Sequence, residues 1–298
     1  MVSQAFLAAP SDVKGFARSL AWRLRFWLLA LPAGVGRATA RAIVKLWLGF
    51  PPGKSGVYSA GNGPAMRAAI LGVCLGKDDQ RLREYVKAST RITHTDPRAE
   101  CGALLVALAA HHGATGVPEN QSPSRILAQL RESLGEIDAE LDGLLVKMND
   151  HLERNASPEE LAEAFGLKNG ISGYVYHTVP MAIYCWLRSL HDFRAAVESV
   201  IALGGDTDTT GAIVGGLAGA TLGESAIPQE WMDGICEWPR SVNWMRKLAA
   251  RLAQRFSDSN DAGPCGPVPL FWPGLLIRNL IFLIIVLTHG FRRLLPPY

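Results

Sequence analysis

None of the five cysteines (Cys74, Cys101, Cys185, Cys236, Cys265) stands in a Cys-x-x-Cys pair. An odd, scattered set argues against a disulfide framework and for reduced thiols in a cytosolic protein, most of them small core residues. A secretory signal is missing, because Met1–Pro10 has no basic segment followed by an apolar one. Charge is sparse: 19% of residues are charged, 48% are hydrophobic and the net charge is only +3. Such a chain can bury a sizeable core and is poorly suited to nucleic acid as a main partner. Acids are nearly absent from the first 50 residues, where Asp12 faces Lys14, Arg18, Arg23, Arg25, Arg37, Arg41 and Lys45. That imbalance is read as a solvated helix face, with an anion-binding surface as the alternative.

Runs of alternating polar and apolar residues are also lacking, and helical periodicity takes their place. Helices are expected from Ser11-Asp12 to about Leu31, and over Ala38–Leu48, Ala65–Leu75, Gln80–Thr90 and Arg98–His111. One long patterned stretch covers Ile126–Leu152. Ser157-Pro158-Glu159-Glu160 has the form of a capped helix start. Pro180–Leu190, Phe193–Leu203, Ala212–Leu222 and Val242–Phe256 complete the main series. The fold class is therefore all-α: one helical domain over 1–256, a Gly/Pro-rich linker over 257–269, and an apolar C-terminal helix over 270–298. Within that helix, Asn279–Phe291 is uncharged for thirteen residues before Arg292 and Arg293. Thirteen is short of the roughly 20 that a membrane span needs. A helix packed on the domain or lying at an interface is expected, with membrane association through residues 268–293 as the alternative to a cytoplasmic protein.

Four stretches carry chemistry. Gly204-Gly205-Asp206-Thr207-Asp208-Thr209-Thr210-Gly211 sets two carboxylates among hydroxyls and glycines. Such oxygens are the ligand set of a hard cation such as Mg²⁺, and a helix starting there would favour their charge. A calcium loop fails on counting, because its twelfth position falls on Leu217. The Asp-x-Asp-x-Thr string also matches a phosphohydrolase signature, but that signature follows a buried strand, and here a helical segment precedes it. Tyr58–Arg67, with Ser59, Gly61, Asn62 and Gly63, can present N–H and hydroxyl groups to phosphate or form a plain turn. Thr93-His94-Thr95-Asp96-Pro97 is a polar-ligand site or a helix cap. Lys168–Tyr174 is glycine-rich with an aromatic, fit to line a base or to be a loop.

In order and spacing these pieces resemble the ADP-ribosylglycohydrolases of the dinitrogenase-reductase-activating type, over about residues 55–225. The resemblance implies an all-α fold with two Mg²⁺ ions at the base of a cleft. It implies hydrolysis of the glycosidic bond of ADP-ribose attached to a protein or a small molecule. Asp206, Asp208 and Thr209 would be metal ligands. Ser59, Gly61, Asn62 and Gly63 would hold phosphates and ribose, His94 would contact the same ligand, and Gly170 and Ile171 would border the adenosine.

Two further pieces of the family pattern, a Gly-Asp-Ala-Leu-Gly helix start near a catalytic glutamate and a Thr-Asp-Asp cluster, are not found in residues 1–57. No catalytic residue is therefore assigned. The expectation is a shortened family member with half of the metal site, at most one ion, little hydrolase activity and marginal stability. A non-catalytic ADP-ribose-binding or regulatory module is the alternative.

Overall fold

The computed structural model describes residues 1–118, 120–256 and 266–294. Among these residues there is no strand, and the isolated bridges Val57–His94, Gly61–Tyr174 and Ile171–Gly205 supply the only β-type pairing. The chain folds into α1 (Val2–Ala8), α2 (Val13–Leu29), α3 (Arg37–Trp47), the single turn α4 (Pro52–Ser55) and α5 (Ala69–Leu75). There follow α6 (Asp79–Arg91), α7 (Pro97–Ala114), α8 (Pro123–Leu134), α9 (Ala139–Glu153) and α10 (Pro158–Ala164). The rest are α11 (Val175–Arg188), α12 (Phe193–Ala202), α13 (Thr207–Leu222), α14 (Gln229–Asp233), α15 (Val242–Phe256) and α16 (Trp272–Leu294).

Helix α7 is the axis of the domain. It opens on Pro97, capped by the Asp96 carboxylate on the Arg98 N–H at 3.0 Å. From Cys101 to Ala110 its residues are apolar or small all round, and a helix with that pattern must be covered on every side. Helices α5, α6, α8, α11 and α13 cover it. The α5 contact is backbone-close: a methyl on Gly72 would lie 1.8 Å from the Ala107 carbonyl oxygen. Helix α11 is buried over nearly its whole length, with Trp186 donating from Nε1 to Thr221 Oγ1 of α13 at 3.0 Å. These helices place the N-terminus of α13 beside the turn that enters α11.

Several expectations are corrected. The stretch Ile126–Leu152 is two helices, because Gly135 takes φ +78° and Asp138 caps a new start by accepting from Leu141 N at 2.9 Å. Pro180 lies inside α11 instead of opening it, since the helix already begins at Val175, whose N–H donates to Ala60 O at 2.9 Å. Ala65–Leu75 divides into a 3-10 turn, Ala65–Arg67, and α5. Of the cysteines read as core residues, Cys185 is buried, Cys74 and Cys101 are half-buried, and Cys236 is exposed; Cys265 lies outside the described residues.

Most of the expected linker, 257–265, also lies outside the described residues, as do 295–298 of the expected C-terminal segment. Residues 266–269 are tied to the domain. Gln4 both donates to Val268 O and accepts from Val268 N, at 2.8 Å each, and Trp244 donates to Pro269 O at 2.8 Å.

Candidate functional site

The Gly204-Gly205 step turns α12 into α13 and presses the chain against Ile171. Ile171 N donates to Gly204 O at 3.1 Å, and Asp206 N donates to Ile171 O at 2.7 Å. Gly205 has φ +82°, and a methyl there would meet the Ile171 carbonyl oxygen at 2.2 Å. Gly170 has φ +95°, and a methyl on it would lie 2.6 Å from Gly205 N. Glycine is needed on both sides of this contact, so Gly170 and Ile171 act here as the seat of the Asp206 loop.

Asp206 is the N-cap of α13, and Asp208 lies in its first turn. The helix dipole favours negative charge at both positions. The two carboxylates interact directly. Burial pushes Asp206 up, but hydrogen bonds from Asn62, Asp208 and Thr209 outweigh it and hold Asp206 below the usual carboxylate range. Asp208 is raised, first by its hydrogen bond with Asp206, then by burial and the Asp206 charge. Carboxylates whose pKa values are split apart in this way lie close together, an arrangement that a bound dication favours. With Thr209, they form an all-oxygen donor set that fits one Mg²⁺, an ion that needs only one or two carboxylates and keeps several waters. Among the described residues no group of three or more His, Cys, Asp or Glu side chains forms a metal-binding cluster.

Asn62 joins the other stretch to this pair. It is buried, and its Nδ2 donates to Asp206 Oδ2 at 2.6 Å and to Thr178 Oγ1 at 2.9 Å. Thr178 in turn donates to Ser172 O at 2.9 Å. The backbone is stitched too, with Asn62 N donating to Gly173 O at 3.0 Å.

His94 sits beneath the 59–63 loop. A methyl on Gly61 would lie 2.9 Å from His94 Nε2, and one on Gly63 would lie 3.1 Å from Cε1. Ser59 Oγ is on the same side, 3.5 Å from the Gly61 methyl position. His94 is 3% exposed. Burial, and then the nearby Arg67 charge, lower its pKa to about 4, so the ring is neutral at pH 7. Its Nδ1 lies 2.9 Å from Thr93 Oγ1, which already accepts from Arg67 at 2.7 Å. The Thr93 hydroxyl lies farther, 3.5 Å, from its other acceptor, Thr90 O. Donation by that hydroxyl to Nδ1 leaves the His94 proton on Nε2, pointed at the glycine loop.

Sequence reasoning missed the role of Arg67. Its guanidinium donates to Gly63 O at 3.2 Å, Ser89 Oγ at 3.2 Å, Ser89 O at 2.9 Å and Thr93 Oγ1 at 2.7 Å. All four are neutral oxygens, and burial lowers the Arg67 pKa to about 10, so a cation stands behind the loop. The available signal was an arginine four residues after Gly63 at a helix start. Asp96 does not join the carboxylate pair; it caps α7 and pairs with Arg98 at 2.8 Å. Arg98 also donates to Tyr174 OH at 3.2 Å, and that hydroxyl donates to Glu140 Oε1 at 2.7 Å. This network anchors the Lys168–Tyr174 loop at its far end.

A family model described as ADP-ribosylglycohydrolase matches residues 2–262. The chain is similar to the ADP-ribosylhydrolase ARH3 of Mus musculus, 31% identical over 227 residues, covering 68% of this chain and 60% of that protein. It is also similar to the ADP-ribosyl-[dinitrogen reductase] glycohydrolase of Rhodospirillum rubrum, 27% identical over 210 residues, covering 70% and 62%. A solved structure described as an ADP-ribosylglycohydrolase-related protein complex superposes with a TM-score of 0.63 at 26% identity, covering 86% of this chain and 78% of that one. The matched region spans about 60% of the length of the mouse relative.

Proposed function

The chain belongs to the ADP-ribosylglycohydrolase family, and on that premise we propose that it hydrolyses the glycosidic bond of ADP-ribose conjugates, protein-linked or small. The observation that carries the reading is the 2.6 Å hydrogen bond from Asn62 to Asp206. It ties a loop suited to phosphate and sugar oxygens to a carboxylate pair suited to a cation, across 144 residues of sequence.

Each part has a distinct task. Loop 59–63 offers backbone N–H groups and the Ser59 hydroxyl, with the Arg67 cation behind it, and so suits the two negative charges of a diphosphate. His94, neutral and with Nε2 toward the glycines, donates one hydrogen bond to a ligand oxygen. Asp206, Asp208 and Thr209 would hold Mg²⁺, which when bound polarises sugar oxygens and fixes the ribose. Ile171 and Gly170 keep the carboxylate pair in place through the Gly205 contact.

A second reading is kept by one observation: no further acidic side chain among the described residues joins Asp206 and Asp208 in a metal-binding group. In that reading the chain is an ADP-ribose-binding module that does not turn over its ligand. A release assay on an ADP-ribosylated peptide with Mg²⁺ separates the two. Release that is lost on chelation and in Asp208→Asn supports hydrolysis; ADP-ribose binding without release supports the module.

A further inference from the structure

We propose that α2, α3 and α16 together form a docking surface for an anionic lipid bilayer, with the second half of α16 lying in the plane of the interface. The proposal does not depend on the catalytic reading. It starts from an apolar helix that the domain leaves uncovered: only 17% of the long apolar window in α16 is buried. A core helix of a soluble domain would be mostly buried. Leu275 and Asn279 are buried against the domain, but from Leu280 to Phe291 every residue except Leu283 is exposed.

The first two turns fix where this helix can go. Trp272 Nε1 donates to Phe26 O at 3.3 Å, Asn279 Nδ2 donates to Ala30 O at 2.6 Å, and Arg278 pairs with Glu237. From Asn279 the helix runs twelve residues before Arg292, or about 18 Å at 1.5 Å per residue. The hydrocarbon core is about 30 Å thick. A docked α16 standing upright would bury both arginines in hydrocarbon, where a charged side chain is strongly disfavoured. Lying flat avoids this. At 100° per residue, Arg278, His289, Arg292 and Arg293 fall on one side, among Ile281, Phe282, Ile285 and Val286, while Leu280, Leu283, Ile284, Leu287 and Phe291 fall on the other. The wholly apolar side can face the acyl chains while the long arginine side chains reach headgroup depth.

The neighbouring surface matches it. A chain of rings runs from Trp47 to Trp22 (6.3 Å), to Phe26 (6.1 Å) and to Trp272 of α16 (6.0 Å). Trp22, Phe26 and Trp47 are exposed, as are Leu29, Leu31, Val44 and Leu48 around them. Tryptophan at the edge of an apolar patch is the residue favoured at headgroup depth. Arg18, Arg37 and Arg41 are exposed on the same two helices, where Asp12 is the only acid of the first 50 residues. A basic, aromatic-rich surface is complementary to acidic headgroups. Helix α3 also reaches the candidate site, since Thr39 Oγ1 would lie 3.6 Å from a methyl on Gly63. A docked molecule would carry the 59–63 loop close to the bilayer.

Flotation of the full chain, synthesised in the presence of vesicles, tests this. Vesicles of phosphatidylcholine with phosphatidylserine should carry the chain upward, and high salt should release part of it. Arg37→Gln with Arg41→Gln should weaken binding roughly thirtyfold, from about 1 kcal/mol per basic residue. Ile284→Glu with Leu287→Glu should abolish it; all four positions lie outside the candidate site, and Arg37, Arg41, Ile284 and Leu287 are exposed, so the fold should persist. Equal flotation with neutral vesicles would overturn the proposal. So would carbonate-resistant, protease-protected insertion, which would mean a span. A discrete lipid-free dimer with no flotation would assign the surface to a second copy and overturn it as well.

Discussion

At residues 204–206 the backbone lies so close to Ile171 that a single methyl group on Gly205 has no room, while at residues 280–291 large apolar side chains stand in the open. Both regions were conspicuous as sequence, one for glycine and acid, the other for uninterrupted hydrophobicity. Their environments are opposite. The first has its signal satisfied inside the molecule: the glycines meet Ile171, Asp206 meets Asn62, and the α13 dipole meets the carboxylates. The second has its signal unsatisfied by the domain. An internally satisfied motif points to a site already built by the fold, whereas an unsatisfied one points outward to a surface the chain does not itself contain.

The sharpest way to break this contrast is to add one carbon to the packed region. Gly205→Ala combines a positive φ with a 2.2 Å clash. It should cost about 3 kcal/mol or more and remove ADP-ribose binding. Thermal unfolding together with calorimetry checks both, and a variant of unchanged stability would mean that the Ile171 contact is loose.

Next in size is a pH effect. His94 titrates at about 4 in the folded chain against 6.5 for a free histidine. Between those values the unfolded chain binds the extra proton, so stability should be full above the higher value and fall as pH drops through the window, by up to about 3 kcal/mol. Denaturant unfolding across that range should show the slope, and His94→Gln should flatten it. A slope unchanged in the variant would place the proton elsewhere.

Asn62→Ala removes the donor shared by Asp206 and Thr178, and should cost about 2 kcal/mol while loosening the carboxylate pair. Asn62→Asp should be worse for binding in the absence of a cation, because it sets a third carboxylate against Asp206. Addition of Mg²⁺ should then restore more of its stability than it restores in the alanine variant.

The smallest effect belongs to the open region. Ile284→Ser should change stability in lipid-free buffer by no more than about 0.5 kcal/mol. A larger loss would show that α16 is covered in solution and would erase the contrast.

How much of this was legible depends on the range of the interactions. The Gly204–Gly211 turn into a helix and the capped starts at Asp96 and Ser157 are local signals, and each appears where its residues imply; the Ser157–Glu160 capping box is formed in both directions, whereas α2 begins after Asp12 with no hydrogen bond from that side chain to its first turn. The break at Gly135 was hidden because the apolar spacing of α8 continues into α9, and periodicity alone does not register one left-handed residue. Pro180 misled for a related reason: the α11 start is set by the pairing of Val175 with Ala60, a contact 115 residues away. The Arg67 network was invisible because its acceptors, Ser89 and Thr93, become its neighbours only when α6 packs beside the Gly63 turn. The exposure of α16 could not be read from hydrophobicity, which is the same for a core helix and an uncovered one.

The central claim is that the Asn62 loop and the Asp206–Asp208 pair act as one ADP-ribose site completed by a divalent cation. Calorimetric titration of ADP-ribose into the full chain, with Mg²⁺ and after chelation, tests it most directly when run beside Asp206→Asn. The account predicts binding that strengthens with Mg²⁺ in the unmodified chain and loses that dependence in the variant. Binding of equal strength under all of these conditions, or none under any, would contradict it.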